Sequence, residues 1–231
     1  TIGATTLSTF GGAQASGKNP PYDVKNDFDY VAVIAETPRL LAVSSEFPAK
    51  TYQEFIDYIA ANPGEVTYAV TSNSTDQFNA NVFKKVTGLD FVEVTYSGKD
   101  TSYRVDVATN RVNAIFDTLS AASLNIQQGD FRVLAMSSPH PDYPNVPVFP
   151  DLGLPELGTT SFYGIVVPKG VDKSIVEKLN AALSNAAVHE DTIKNLQQYG
   201  LNPVGGTVEE ARLYHLNNID SMQDAADVLK D

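Results

Sequence analysis

Cysteine is absent from the 231 residues, which excludes disulfides, thiolate metal sites, iron–sulfur clusters and cysteine nucleophiles. No run of roughly 18 apolar residues occurs, so the sequence offers no membrane-spanning helix. Basic residues are few: 16 Lys and Arg stand against 28 Asp and Glu, a formal net charge of −12. The long-range field of such a chain repels phosphate, so it is read as neither a nucleic-acid binder nor a protein held by anionic lipid. Small anionic ligands stay open, because local donors rather than net charge would hold them. Catalytic signatures are missing too, with no Gly-x-Ser-x-Gly elbow, P-loop, Gly-x-Gly-x-x-Gly or His-Glu-x-x-His. The three histidines, His140, His189 and His215, fall in a loop and two helical segments without metal spacing. His189 and His215 read as surface or capping residues. No catalytic residue, metal site or cofactor is expected.

What is present is a folding chain, 42% hydrophobic and 19% charged, in which short apolar runs alternate with helical segments. That alternation predicts an α/β fold with mostly parallel sheets. Residues 31–35 and 40–44 read as strands broken around Thr37-Pro38. Thr51-x-x-Glu54 is a capping box opening a helix that Asn62-Pro63-Gly64 stops. Strands follow at 66–70, 91–96, 112–117 and 132–137, with helices between them. Residues 139–158 are rich in proline and glycine and read as a long surface loop. A strand at 162–167 precedes three helices. The first carries a stripe of Ile175, Leu179, Leu183 and Ala186. The last opens on a second capping box, Thr207-x-x-Glu210, with a stripe of Val208, Ala211, His215, Ile219 and Met222. The block from about 40 to 137 is a self-contained strand–helix set, whereas the flanking ends are poor in strands.

The residues resemble a known family. Tyr22-Asp23-Val24-Lys25-Asn26-Asp27-Phe28 followed by Val31-Ala32-Val33-Ile34-Ala35 resembles a segment of the tripartite tricarboxylate transporter substrate-binding proteins, the TctC or Bug family. Phe47-Pro48-Ala49-Lys50-Thr51, Tyr96-Ser97-Gly98, Phe116-Asp117-Thr118 and Ser161-Phe162-Tyr163-Gly164 resemble further motifs in the same order. Pro203-Val204-Gly205-Gly206-Thr207 with Glu209-Glu210 continues the series. The resemblance implies a two-lobed, periplasmic-binding-protein-like fold of type II. Two antiparallel hinge strands would lie near 31–36 and 162–167. The first lobe would hold residues 1–35 plus 162–231, and the second lobe residues 36–161. It also implies that the first lobe is incomplete here, with about two strand–helix units, about 60 residues at roughly 30 per unit, preceding Thr1. The implied role is extracytoplasmic capture of a small carboxylate by a monomer, closure on the ligand, and delivery to a membrane permease. A small-molecule-sensing domain of a transcriptional regulator or receptor shares such an architecture and is the alternative.

Candidate ligand-binding residues follow from position. Residues 71–75, Thr-Ser-Asn-Ser-Thr, join a strand's end to a helix start, where free amide hydrogens and the positive end of the helix dipole meet hydroxyl donors. A carboxylate bound there needs no lysine. Ser72, Asn73, Ser74 and Thr75 are therefore candidates, against the alternative of plain helix capping. Asp117 and Thr118 end an apolar strand at the edge where open α/β sheets bind ligands. Asp117 would accept bonds from water or a ligand hydroxyl or ammonium, or else cap the next helix. Thr6 lies in a polar turn after the first strand, matching a loop that the family presents to its ligand. Phe162 stands where the resembling family has an aromatic on the returning hinge strand, which implies packing on a ligand's carbon skeleton; the alternative is a core phenylalanine.

Overall fold

A computed structural model describes residues 1–12, 20–72, 74–98 and 100–230. The chain divides into two compact units. The first comprises Thr1–Thr37 and Thr160–Asp224, and the second Pro38–Thr159 together with the residues from Ala225 onward.

The first unit contains β1 (Gly3–Thr6), β2 (Phe28–Thr37), β8 (Ser161–Pro168) and β9 (Asn202–Pro203), ordered β1-β8-β2-β9. Every pairing in this sheet is antiparallel. The long β2–β8 pair runs from Phe28 opposite Pro168 to Thr37 opposite Ser161. Three helices complete the unit: α5 (Lys173–Ala187), α6 (Glu190–Gln197) and α7 (Val208–Val228), whose last turn counts with the second unit. The Thr207 capping box is reciprocal. The Glu210 amide donates to Thr207 Oγ1 at 3.2 Å, and the Thr207 amide donates to Glu210 Oε2 at 2.7 Å.

The second unit holds β3 (Arg39–Ser44), β4 (Thr67–Thr71), β5 (Val92–Tyr96), β6 (Ala114–Thr118) and β7 (Phe131–Met136), in the order β5-β4-β6-β3-β7. Its helices are α1 (Tyr52–Ala61), α2 (Thr75–Thr87), α3 (Tyr103–Ala108) and α4 (Leu119–Gln128). β4 runs parallel to β5 and β6, and β3 runs antiparallel to β6 and β7. Four strands thus point one way and β3 opposes them. Both sheet faces are covered, so the period-two alternation sorts apolar side chains into two cores. Leu41, Val43, Tyr68, Val70 and Phe116 pack with Phe55, Ile59 and Phe83 of α1 and α2. Leu40, Ala42, Ala69 and Ile115 pack with Tyr103, Val107, Leu119 and Ala122 of α3 and α4.

The structure corrects four sequence expectations. The α/β class holds, but the sheets are mixed rather than mostly parallel. Parallel neighbours need a crossover helix; only the pairs within β4, β5 and β6 have one, and β3 enters reversed between β6 and β7. The 139–158 segment is not a simple surface loop. It forms two 3₁₀ turns, Phe149–Leu152 and Pro155–Leu157, and buries Phe149, Leu154 and Leu157 in the second unit's core. The inward face of α5 follows the expected stripe only in part: Leu179 and Leu183 pack against the first unit's core, but Ile175 and Ala186 are exposed, and Val176, Asn180 and Ala187 are buried beside them. Asn180 earns its burial by donating Nδ2 hydrogens to the carbonyls of Val31 (2.8 Å) and Gly206 (3.1 Å). His215 is a core residue rather than a surface one, fully buried against Tyr30 and Phe162.

Candidate functional site

Strand direction builds a rim in the second unit. Because β4, β5 and β6 are parallel, their carboxyl ends lie along one edge of the sheet. β3 is reversed, so its first residue joins that edge, with Arg39 opposite Thr118. The chain turns into α2, α3 and α4 from this edge, so three helix N-termini meet there. In open α/β sheets this is the edge that takes ligands.

Five sequence-predicted residues gather on this rim. The Ser72 amide donates to the Tyr96 carbonyl at 2.9 Å, tying the corner after β4 to the end of β5. Ser74 is the N-cap of α2, its hydroxyl accepting the Gln77 amide at 3.1 Å. Thr75 Oγ1 accepts from Arg39 Nη1 at 3.1 Å. Thr118 caps α4, accepting the Ala121 amide at 3.3 Å. Asp117 is buried beside it. Asn73 lies outside the described residues.

The other two candidates belong to the first unit. Thr6 closes a tight turn with Thr9: its amide donates to Thr9 Oγ1 at 2.9 Å, and that hydroxyl donates to the Thr6 carbonyl at 3.0 Å. Phe162 is fully buried, edge-on to Tyr214 and His215 with ring centroids 5.6 and 4.8 Å away. Of its two readings, the structure gives the core phenylalanine, because no face of the ring is left for a ligand.

Charged partners missed by sequence reading dominate the rim. Alternation along β3 turns Arg39 toward α2, where its guanidinium pairs with Asp76. Alternation along β6 turns Asp117 toward α3, where Asp117 Oδ2 accepts from Arg104 Nε at 3.0 Å and Nη2 at 2.8 Å. Asp117 Oδ1 accepts the Thr118 amide at 2.7 Å. Asp117 therefore does not cap α4; Thr118 does. Burial, and then the nearby Asp76 carboxylate, push the Asp117 pKa up to about 6, against the pull of Arg104. Burial likewise raises Asp76, opposed by Arg39 and Arg104. Burial, followed by the Asp117 charge, raises Tyr103. Two cations and two anions in low dielectric thus hold one another, a network whose members depend on every partner staying in place.

The expected supply of unpaired amides is smaller than the sequence suggests. The Ser74 amide donates to the Thr71 carbonyl, the Leu119 amide to the Pro38 carbonyl, and the Thr118 amide to Asp117. These three corner amides are thus already satisfied within the protein. Among the described residues no cluster of His, Asp or Glu is placed to hold a metal ion, and no helix is long and apolar enough to cross a membrane.

This architecture is that of the periplasmic solute-binding proteins. A structure described as a periplasmic transporter is 32% identical and superposes with a TM-score of 0.82, covering 96% of this chain and 75% of its own. R. palustris Rpa4515, solved with adipate, is 26% identical at a TM-score of 0.83, covering 98% and 77%. Residues 4–221 match the family described as tripartite tricarboxylate transporter family receptor, and the chain belongs to that family. A curated relative, a UPF0065 protein of Pseudomonas sp. (strain P51), is 28% identical over 82% of this chain and 57% of its own length. The chain spans 57% to 61% of the length of the first three curated relatives it matches.

Proposed function

We propose that this protein is the solute-binding component of a tripartite tricarboxylate-type transporter, working outside the cytoplasm. It captures a small carboxylate and presents it to the membrane permease subunits without transforming it. The observation that carries this reading is the likeness to the adipate-bearing R. palustris protein across 98% of the chain, within a shared receptor family. The rim of the second unit supplies suitable chemistry: the hydroxyls of Ser74, Thr75 and Thr118, the positive ends of α2 and α4, and a guanidinium beside them. Hydrogen bonds to a charged carboxylate each contribute about 1.5–3 kcal/mol, so a few fixed donors suffice in a protein whose net charge is −12. Ser72, Asn73, Ser74, Thr75, Asp117 and Thr118 are the second unit's candidate residues, and Thr6 is a separate candidate in the first unit.

Titration calorimetry against adipate, malate, succinate and citrate tests this. Saturable one-to-one binding of at least one acid, with a matching rise in melting temperature, is expected. Absence of both heat and thermal shift across the set would refute it.

A further inference from the structure

Arg39 and Arg104 each pair with an aspartate on the same rim, yet they are placed for different tasks. Arg39 has a side chain 3% exposed, with Nη1 on Thr75 and Nη2 on Asp76. Its guanidinium is enclosed and structural. The Arg104 side chain is 22% exposed. Both of its bonds to Asp117, from Nε and Nη2, converge on the single oxygen Oδ2. A guanidinium carries five N–H donors in a rigid plane, and Nη1 of Arg104 makes no hydrogen bond among the described residues.

Three contacts fix that plane. Asp117 holds one edge, and the Thr118 amide pins the carboxylate through its other oxygen. The buried Tyr103 ring supports one face, with Arg104 Cζ 4.6 Å from the ring centroid. The side chain therefore cannot fold back onto another partner without breaking a buried ion pair. Its uncommitted edge emerges at the start of α3, on the rim that also carries the hydroxyls of Ser74 and Thr118. A planar cation held in this way matches a planar carboxylate, and its orientation has been fixed before the ligand arrives.

We propose that Arg104 is a ligand-contacting residue whose Nη1 edge takes a carboxylate of the bound acid, with Asp117 as the positioning residue that aims it. This deepens the solute-binding reading and rests on it. The ligand class follows from the chemistry: an ionised organic acid offers two charged acceptor oxygens, whereas the amide of the same skeleton offers one neutral acceptor and turns N–H donors toward a donor, so it binds far more weakly. Asp117 also opposes the ligand's charge, so the pair sets affinity from two directions.

The test is calorimetry on the full chain with adipate and with adipamide as probes, using the wild type, R104Q, R104K and D117N, each with a melting curve. The wild type is expected to bind adipate far more tightly than adipamide. R104Q is expected to lose about tenfold or more in adipate affinity, the equivalent of about 1.4 kcal/mol. R104K, which keeps the charge but not the fork, should fall between the two, and it decides the matter if R104Q does not fold. In D117N the Asn carbonyl can still accept from Arg104, but its Nδ2 group then faces the Thr118 amide, so the guanidinium is aimed less firmly while the competing negative charge is gone; adipate affinity should therefore fall less than in R104Q. A merely structural ion pair would make R104Q and D117N lose affinity alike, and that result overturns the proposal. Wild-type binding that R104Q and R104K leave unchanged overturns the role of Arg104 and spares the solute-binding reading. If the wild type binds malate, succinate or citrate instead of adipate, that acid and its amide take the place of the adipate pair; absence of binding to all four counts against both.

Discussion

Gly164 and His215 fit each other as backbone and ring in the first unit: a Cβ on Gly164 would lie 2.7 Å from His215 Cε1 and closer still to Nε2. The ring is anchored through Nδ1 to the Ala211 carbonyl at 2.7 Å, and it packs on Tyr30 and Phe162. Gly164 also faces Thr5 across the β1–β8 pair, so neither side has room to give. The glycine is required here by close approach, not by turn geometry.

Substituting Gly164 by Ala is therefore expected to destabilise the protein by about 1–3 kcal/mol through overpacking. Removing the ring with His215→Ala should cost stability on its own, yet recover much of the loss in the double variant, because the clash has gone. Urea denaturation of the two single variants and the double variant measures this. Additive losses would show that the two residues do not meet.

Arg39 supports the rim from beneath. Arg39→Met leaves Asp76 partly buried without its cation, and breaking such a pair costs about 3–5 kcal/mol. Converting both members, as Arg39→Met with Asp76→Leu, should recover much of that loss. Denaturant midpoints check both, and a loss in the double variant as large as in the single would contradict the pairing.

Two buried groups titrate with opposite effect on stability. Burial lowers the His215 pKa to about 4, below the ordinary value of about 6.5. The unfolded chain then binds more protons between those values, and stability falls as pH drops through that range. Asp117, raised to about 6 from the ordinary value of about 3.9, binds its proton more tightly in the folded chain. Its contribution is fullest below about pH 4 and is lost as pH rises through about 6. The groups surrounding Asp117 are Arg104, Tyr103, Asp76 and, behind Asp76, Arg39. D117N is expected to remove one of the opposing effects, so its stability should rise more steeply than the wild type's between about pH 4 and 6. Unfolding midpoints across that range test this; parallel curves for the two proteins would contradict it.

Much of the fold was legible because its signals are local. Thr51 and Thr207 cap helices, as their Thr-x-x-Glu spacing implies, with the Glu54 amide donating to Thr51 Oγ1 at 3.2 Å. The apolar runs at 40–44 and 112–117 marked β3 and β6, and the rim corners at 71–75 and 117–118 stand where strand meets helix. The ion pairs were not legible. Arg39 and Asp76 are 37 residues apart, and Arg104 and Asp117 are 13 apart, so their meeting depends on strand order, which no local pattern carries. One signal was available. Arg39 heads Arg-Leu-Leu-Ala-Val-Ser, buried throughout, and a charge on a strand covered on both faces requires a counter-ion. Phe149, Leu154 and Leu157 were missed for another reason: three apolar residues among prolines and glycines carry no period. The burial of His215 was legible in its place on the apolar stripe of α7, where a neutral imidazole with one bond to the Ala211 carbonyl is readily buried.

The central claim is that the carboxyl-end rim of the second unit holds the acid. A crystal structure of the full chain grown with saturating adipate tests it most directly. The expected result is adipate density within hydrogen-bonding distance of Arg104 Nη1 and of a hydroxyl from Ser74, Thr75 or Thr118. Adipate bound elsewhere on the molecule, with this rim filled only by solvent, would contradict it.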